Sequence, residues 1–409
     1  GLYGSVSAGI NIYPQQCRMK LSEFVALFKT FFARLDIYQL LAVPVLLVVL
    51  FYSIDFSSND MQIGVVLPLS GEHAHRAANH LNGLTLAARH INDLGGINGR
   101  RLQLQIRDTH GQSEKTAEAT RDLIYENSVF ALIGGFSPAN TRIIQALAEK
   151  AQVPFITGIC THYETTASGN GFTFRSITDD RRQFEALADY ALKRFNSRKP
   201  ALIYDLELYG PDSAQRFIEI SNRSGQQVCA AVSYKKGTLN FRRQLDTIMA
   251  AAPDLLVILA PAADSAMILR QFREARFARP VIGGNQLAAG EFANLAGVYS
   301  ESVVTTMPFN PRAGGQRADY FLSEYAETFG QPADADAAMG YEAMMLMALA
   351  FKASDLDRNS ARNALASLHG WESVAGSGGF DEDGNQVRPA EIAIIKDRQK
   401  IPVTMEGLF

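Results

Sequence analysis

Cysteine is scarce in this sequence. Among 409 residues there are three, Cys17, Cys160 and Cys229, with no Cys-x-x-Cys pair. Neither a disulfide scaffold nor a structural zinc site is therefore expected. An excess of charge of one sign is missing too. Lys and Arg number 39 against 42 Asp and Glu, a formal net charge of -3. No Lys/Arg stripe is interleaved with aromatics, which excludes a nucleic-acid surface. The sequence also lacks a Gly-x-Ser-x-Gly elbow, a His-Glu-x-x-His pair and a Walker loop. No catalytic residue, metal or cofactor is assigned, and an enzyme is not expected. What is present is ample apolar material, 47% hydrophobic against 20% charged residues, enough for more than one core.

One long apolar run stands near the start. Ile37 to Ile54 carries no charged residue, and at the helical rise such a segment covers most of a hydrocarbon core. Arg18, Lys20, Lys29 and Arg34 precede it, and Asp55 and Asp60 follow it. The positive-inside tendency then keeps residues 1–36 on the cytoplasmic side, spans the membrane with 37–56 as a signal anchor, and exports 57–409. A cleaved signal peptide is the alternative, although no Ala-x-Ala-like site follows the run. Met19-Lys20 reads as a natural start. Leu21, Phe24, Val25, Phe28, Phe32 and Leu35 recur at helical spacing, as in a helix lying on the inner membrane face or on a partner.

Beyond Asp60 the chain alternates strands and helices. Strands are predicted at 62–67, 102–107, 129–133, 153–157, 200–205, 228–233, 254–260, 280–283, 301–306 and 391–395. Helices are predicted at 78–94, 114–126, 138–151, 181–196, 211–223, 240–251, 263–275, 316–329 and 336–354. Such alternation implies an α/β protein with parallel sheets covered on both faces. Ser113 is expected to cap the helix at 114, and Ser137, followed by Pro138, the helix at 138. So many strands exceed one compact sheet, and two lobes are expected.

Particular stretches carry a family resemblance. The first is Ile63-Gly-Val-Val-Leu-Pro-Leu-Ser-Gly, with Gly95-Gly-Ile-Asn-Gly-Arg before the second strand. Ile133-Gly-Gly-Phe-Ser-Pro, Phe174-Arg-Ser-Ile, Tyr209-Gly210, Gly340-Tyr-Glu-Ala and Gly379-Phe-Asp-Glu-Asp-Gly follow in order. In order and spacing these pieces resemble the type I periplasmic binding proteins, the group of the leucine/isoleucine/valine-binding proteins of ABC importers. The resemblance implies two Rossmann-like lobes joined by three hinge crossovers. Lobe 1 would comprise 61–175 and 307–378, and lobe 2 would comprise 176–306 and 379–409. Cys160 and Cys229 then fall in different lobes, which speaks against a bridge between them. The implied function is an extracytoplasmic receptor, anchored to the bacterial inner membrane, that delivers a small ligand to an ABC permease. A membrane-anchored sensory protein that signals to a membrane partner is the second reading.

In the implied fold, loops at the carboxyl ends of both sheets face a common cleft. Ser70 and Arg76 belong to the first such loop, Arg76 as an anion clamp or as a solvated helix-start residue. Ser137 with the amides of Ala139 and Asn140 offers a carboxylate site, compatible with capping of its own helix. Thr161 matches the position that holds the ligand's α-carboxylate or amine, and Tyr209 the tyrosine that packs over the ligand. Where amino-acid binders place a carboxylate against the ligand's ammonium, this chain has Asn285, followed by Gln286. A second family serine is replaced by Pro138. A small ligand bearing an amide or carboxylate therefore suits the site better than leucine, since a buried ammonium without a partner is costly. His73, His75, His110 and His162 also fall at this end, but no carboxylate beyond Glu72 accompanies them and no metal site is assigned.

Overall fold

The computed structural model describes residues 60–167, 171–206 and 210–403. The predicted membrane segment at 37–56, the stretch 1–36 and Tyr209 lie outside that set. Among the described residues no helix is long and apolar enough to cross a membrane.

The chain opens with β1 (Met61–Leu67), α1 (Ala74–Asp93), β2 (Leu102–Asp108), α2 (Ser113–Arg121), β3 (Ala131–Gly134), α3 (Pro138–Lys150), β4 (Phe155–Thr157), the single turn α4 (Glu164–Ala167) and β5 (Thr173–Arg175). These five strands form one sheet, in the order β2-β1-β3-β4-β5, with every pair parallel. The chain then crosses to a second sheet through α5 (Asp180–Phe195), β6 (Pro200–Asp205), α6 (Gly210–Arg223), β7 (Ala230–Tyr234), α7 (Arg242–Ala250), β8 (Leu255–Leu259), α8 (Ala262–Glu274), β9 (Val281–Gly283), α9 (Gly290–Ala296) and β10 (Val304–Met307). It returns to pack α10 (Pro311–Phe329), α11 (Ala335–Lys352), α12 (Arg358–Ala366) and the hairpin β11 (His369–Ser373) and β12 (Gly376–Gly379) into the core of the first sheet. A last passage adds β13 (Glu391–Lys396) and β14 (Gln399–Val403) as antiparallel strands at one edge of the second sheet. That sheet has seven strands, ordered β14-β13-β10-β9-β8-β6-β7.

Composition explains why the strands are central. The β8 segment Leu-Leu-Val-Ile-Leu is buried at every position, as expected for a strand covered on both faces. Separate apolar clusters occupy the two faces of each sheet. Helices α1 and α11 approach closely through two glycines. A Cβ on Gly83 would lie 1.9 Å from the Ala337 carbonyl oxygen, and one on Gly340 would lie 2.1 Å from that of His80.

Several expectations are corrected. Ser113 is the first helical residue of α2 and not its cap; Gln112 precedes it in extended conformation, and the Ser113 hydroxyl donates to Asn140 Oδ1 at 3.2 Å. The helix predicted to run to 126 ends at Arg121 and continues as a π-turn over Asp122–Glu126. The helix predicted from 316 begins at Pro311, capped by Asn310, and kinks at Gly315, where φ is 52°. Ser137 caps α3 as expected, accepting the Asn140 N–H at 3.2 Å.

Candidate functional site

Loops at the carboxyl ends of the two sheets meet. Glu72, after β1, is ion-paired with Lys236, after β7, at 2.7 Å. His162, after β4, places Nε2 3.3 Å from Asp212 Oδ2 in the first turn of α6. The neighbouring Tyr163 ring receives the Arg216 guanidinium at 3.7 Å. Several helices begin in the loops that follow these strands, and at such starts unpaired N–H groups and the positive dipole end favour anions.

On the first sheet, the Ser70 hydroxyl is hydrogen-bonded to His110 Nδ1 at 2.5 Å. Asp108 anchors this corner by accepting the N–H groups of Leu69 at 2.9 Å and His110 at 2.8 Å. Burial works to raise the Asp108 pKa, but the hydrogen bonds from His110 and Ser70 leave it below the usual carboxylate value. Ser137 Oγ takes the Asn140 amide that the sequence offered to a ligand. The Asn140 side chain is buried, donating to the Gly111 carbonyl at 3.1 Å. Ala139 is exposed in the first turn of α3. Pro138 occupies the first helical position and contributes no N–H of its own.

Arg76, in the first turn of α1, is half-buried and paired. Its Nε and Nη2 each donate to one Asp336 carboxylate oxygen at 2.8 Å, and its guanidinium lies 5.0 Å from the Phe136 ring centroid. The His73 ring stacks on the same phenylalanine at 4.6 Å. His73, His110 and His162 thus turn to three different partners. Among the described residues no group of three His, Cys, Asp or Glu is placed to hold a metal.

Thr161 is half-buried, and its carbonyl accepts the Asp180 N–H at 2.8 Å. The Asp180 carboxylate in turn accepts the Tyr163 N–H at 3.1 Å. Fully buried Arg175 completes the support of this loop, donating to the carbonyls of His162 and Tyr163 and to Asn385 Oδ1. Arg182 donates to Asp381 at 2.9 Å nearby. A cavity of about 320 Å³ opens here among Tyr163, Arg175, Arg182, Asp381 and Asn385. It is walled largely by side chains that pair with one another across the crossovers. On the second sheet, Asn285 and Gln286 are half-buried at the start of a 3-10 turn after β9. Thr305 holds that turn, its hydroxyl donating to the Gly284 carbonyl at 2.8 Å.

Asp336, Asp212, Arg216, Lys236, Arg175 and Asp180 were not among the candidates from sequence. Each acts through a partner elsewhere in the chain, although Arg175 belonged to the stretch Phe174-Arg-Ser-Ile singled out there.

Asp180 yields a pH prediction. Burial pushes its pKa up from 3.8 to about 7, against the opposing charge of Arg175. Between those values the folded chain holds more proton on this group than the unfolded chain. Its contribution to stability therefore falls as pH rises through that window. Asp180→Asn keeps an acceptor for Tyr163 N–H. Urea unfolding should show this variant gaining on the parent between pH 4 and pH 8. A stability difference independent of pH would contradict the assignment.

Comparison with known proteins gives a consistent result. The profile of the family described as "Periplasmic binding protein" matches residues 60–400. The Leu/Ile/Val-binding protein homolog 3 of Brucella melitensis is 24% identical over 333 residues, covering 81% of this chain and 90% of that protein. Among solved structures, the leucine-binding protein LivK of Thermotoga maritima superposes with a TM-score of 0.77 at 25% identity, over 84% of this chain and 98% of that one. The branched-chain amino acid binding protein LivJ of Streptococcus pneumoniae, solved with isoleucine, superposes with a TM-score of 0.74 at 23% identity, over 83% of this chain and 97% of that one.

Proposed function

The chain belongs to the periplasmic binding protein family, and from that premise we propose that it is the extracytoplasmic receptor of an ABC importer of the branched-chain amino acid and amide class. It traps one small ligand between lobes that hinge on the segments joining the two sheets, and hands it to a permease. Residues 57–409 act in the periplasm, held at the inner membrane by 37–56. The observation that carries this reading is the meeting of the carboxyl-end loops through Glu72–Lys236 and His162–Asp212. A ligand bound by both walls stabilises the closed arrangement through its differential affinity.

The ligand bears a carboxylate or an amide. Ser70, Ser137 and Ala139 present hydroxyls and a helix start on one wall, and Thr161 and Tyr209 complete the grip. Asn285 replaces a charged partner with an amide that both donates and accepts. An unpaired ammonium buried there would cost several kcal/mol, a large share of the roughly 8 kcal/mol of a micromolar complex. Amides, ureas and carboxylates without an amine fit better. The uncharged run Ile37–Ile54 also favours a second reading, a tethered sensor whose closure signals to a membrane partner. Flanking permease and ATPase genes would separate the first reading from the second.

A thermal-shift panel of amino acids, amides, ureas and small carboxylates tests the binding role. At least one member should raise the unfolding midpoint in a saturable way. Thr161→Ala should weaken that ligand roughly tenfold, the loss of about one hydrogen bond to a charged group, with its own unfolding unchanged. No shift with any member, or full affinity in Thr161→Ala, would count against this site.

A further inference from the structure

Arg76 and Asp336 form a charged pair where the facing loops begin. The side chains retain 35% and 14% of their exposure, so water still reaches the pair. Their neighbours connect them to residues of both sheets. Arg76 lies on Phe136, the residue before the Ser137 cap, and Glu72, in the loop before α1, already reaches Lys236 of the second sheet. From β14 of that sheet, Lys400 extends to the Ala288 carbonyl at 2.9 Å. Its ammonium feels the attraction of both Asp334 and Asp336. Asp334 caps α11 through the Ala337 N–H and accepts the Asn79 side chain at 2.7 Å. The pair therefore belongs to a patch of donors and acceptors, Arg76, Asp334 and Asp336 from helix starts on the first sheet and Lys400 from the second, whose formal charges cancel.

Such a patch discriminates among ligands by what it loses. A branched aliphatic group set against it would strip water from a bidentate ion pair and return no hydrogen bond. An amide or carboxylate of the same shape replaces that water with a donor or an acceptor. Sites built around polar groups reject apolar isosteres far more strongly than apolar pockets reject polar ones.

We propose that the Arg76–Asp336 pair selects the far end of the ligand, admitting a hydrogen-bonding amide or carboxylate group and rejecting a branched aliphatic one. This deepens the receptor reading above and rests on it. The pair also ties α1 to α11, so its structural and selective roles must be separated by experiment.

Matched probes do so. Succinamate and 4-methylpentanoate share a carboxylate and a chain and differ only in a terminal amide or isopropyl group. L-asparagine and L-leucine are the corresponding pair with an ammonium. Calorimetric titration of the parent chain should favour the amide at least tenfold within whichever pair binds. Arg76→Met/Asp336→Leu, which replaces the ion pair by apolar groups of similar volume, should bring that ratio to one or invert it. Asp336→Asn keeps the shape and serves if the double variant does not fold; it should reduce the ratio at least threefold.

Equal or tighter binding of the aliphatic member by the parent would overturn the inference and leave the receptor reading standing. So would an unchanged ratio in a folded variant. Silence from all four probes, in a chain that also gives no shift across the wider panel, would overturn the receptor reading and this inference with it.

Discussion

Arg175→Met is expected to destabilise the protein by roughly 2 to 4 kcal/mol, the cost of leaving several buried acceptors without their charged donor. The guanidinium is fully buried and joins three separate parts of the chain. It donates to the carbonyls of His162 and Tyr163 after β4, to Asn385 before β13, and its backbone N–H and C=O pair with Gly384 and Gln386. Methionine preserves much of the volume but supplies no donor, so the carbonyls of the His162 loop lose their partners in a dry environment. The same loop presents Thr161. Ligand affinity should therefore fall at least tenfold in the variant under conditions where it remains folded. Urea unfolding followed by titration with the panel ligand measures both effects. A loss below about 1 kcal/mol, the level of an ordinary surface change, would show that Arg175 does not hold the loop.

Arg388→Leu should have an effect of similar size for a different reason. Arg388 Nη2 reaches Glu342 Oε1 at 2.8 Å, and the two side chains keep only 10% and 0% of their exposure. Glu342 is a buried carboxylate on α11, with the Ser373 hydroxyl donating to its second oxygen at 2.9 Å. Removing the arginine leaves that charge uncompensated, costing roughly 3 to 5 kcal/mol. Replacing both partners, as Arg388→Leu/Glu342→Leu, removes the stranded charge and should recover most of the loss. The discriminating result is the comparison by urea unfolding. A double variant as unstable as the single one would mean that packing, and not the unpaired carboxylate, sets the cost.

The elements that carry the fold were legible because their signals are local. The aliphatic strands at 61–67, 200–205 and 255–259 and the helices at 138–150, 180–195, 210–223 and 242–250 appear within two residues of their predicted positions, whereas the helix predicted from 78 begins four residues earlier, at Ala74. The elements that were missed lack such signals. β5 is only Thr173 to Arg175, too short for a period to register. The hairpin strand Gly376-Ser-Gly-Gly has low intrinsic strand preference and is fixed by tertiary packing, with Trp371 lying 4.9 Å from Phe380. α12 is a short polar helix whose buried contribution is Ala361 and Leu365.

The loops that carry the candidate residues were legible, and the contacts those residues make were not. Ser70, Ser137, Thr161 and Asn285 all follow strands that end at the facing loops, as strand–helix alternation requires. The partners that set their surroundings come from far along the chain. Arg76 meets Asp336 across 260 residues, and Arg175 meets Asn385 across 210. No pattern within a window of sequence announces such pairs. Asn140 illustrates the opposite error: a helix-start amide that looked available is closed by the serine that caps its own helix.

The most direct test of a two-walled ligand trap is calorimetric titration of the parent chain with the ligand found in the panel. One site per chain is expected, with affinity in the micromolar range or tighter and a negative heat-capacity change, since closure removes apolar surface from water. A flat titration with every amide, urea, amino acid and carboxylate tried would contradict the account at its centre.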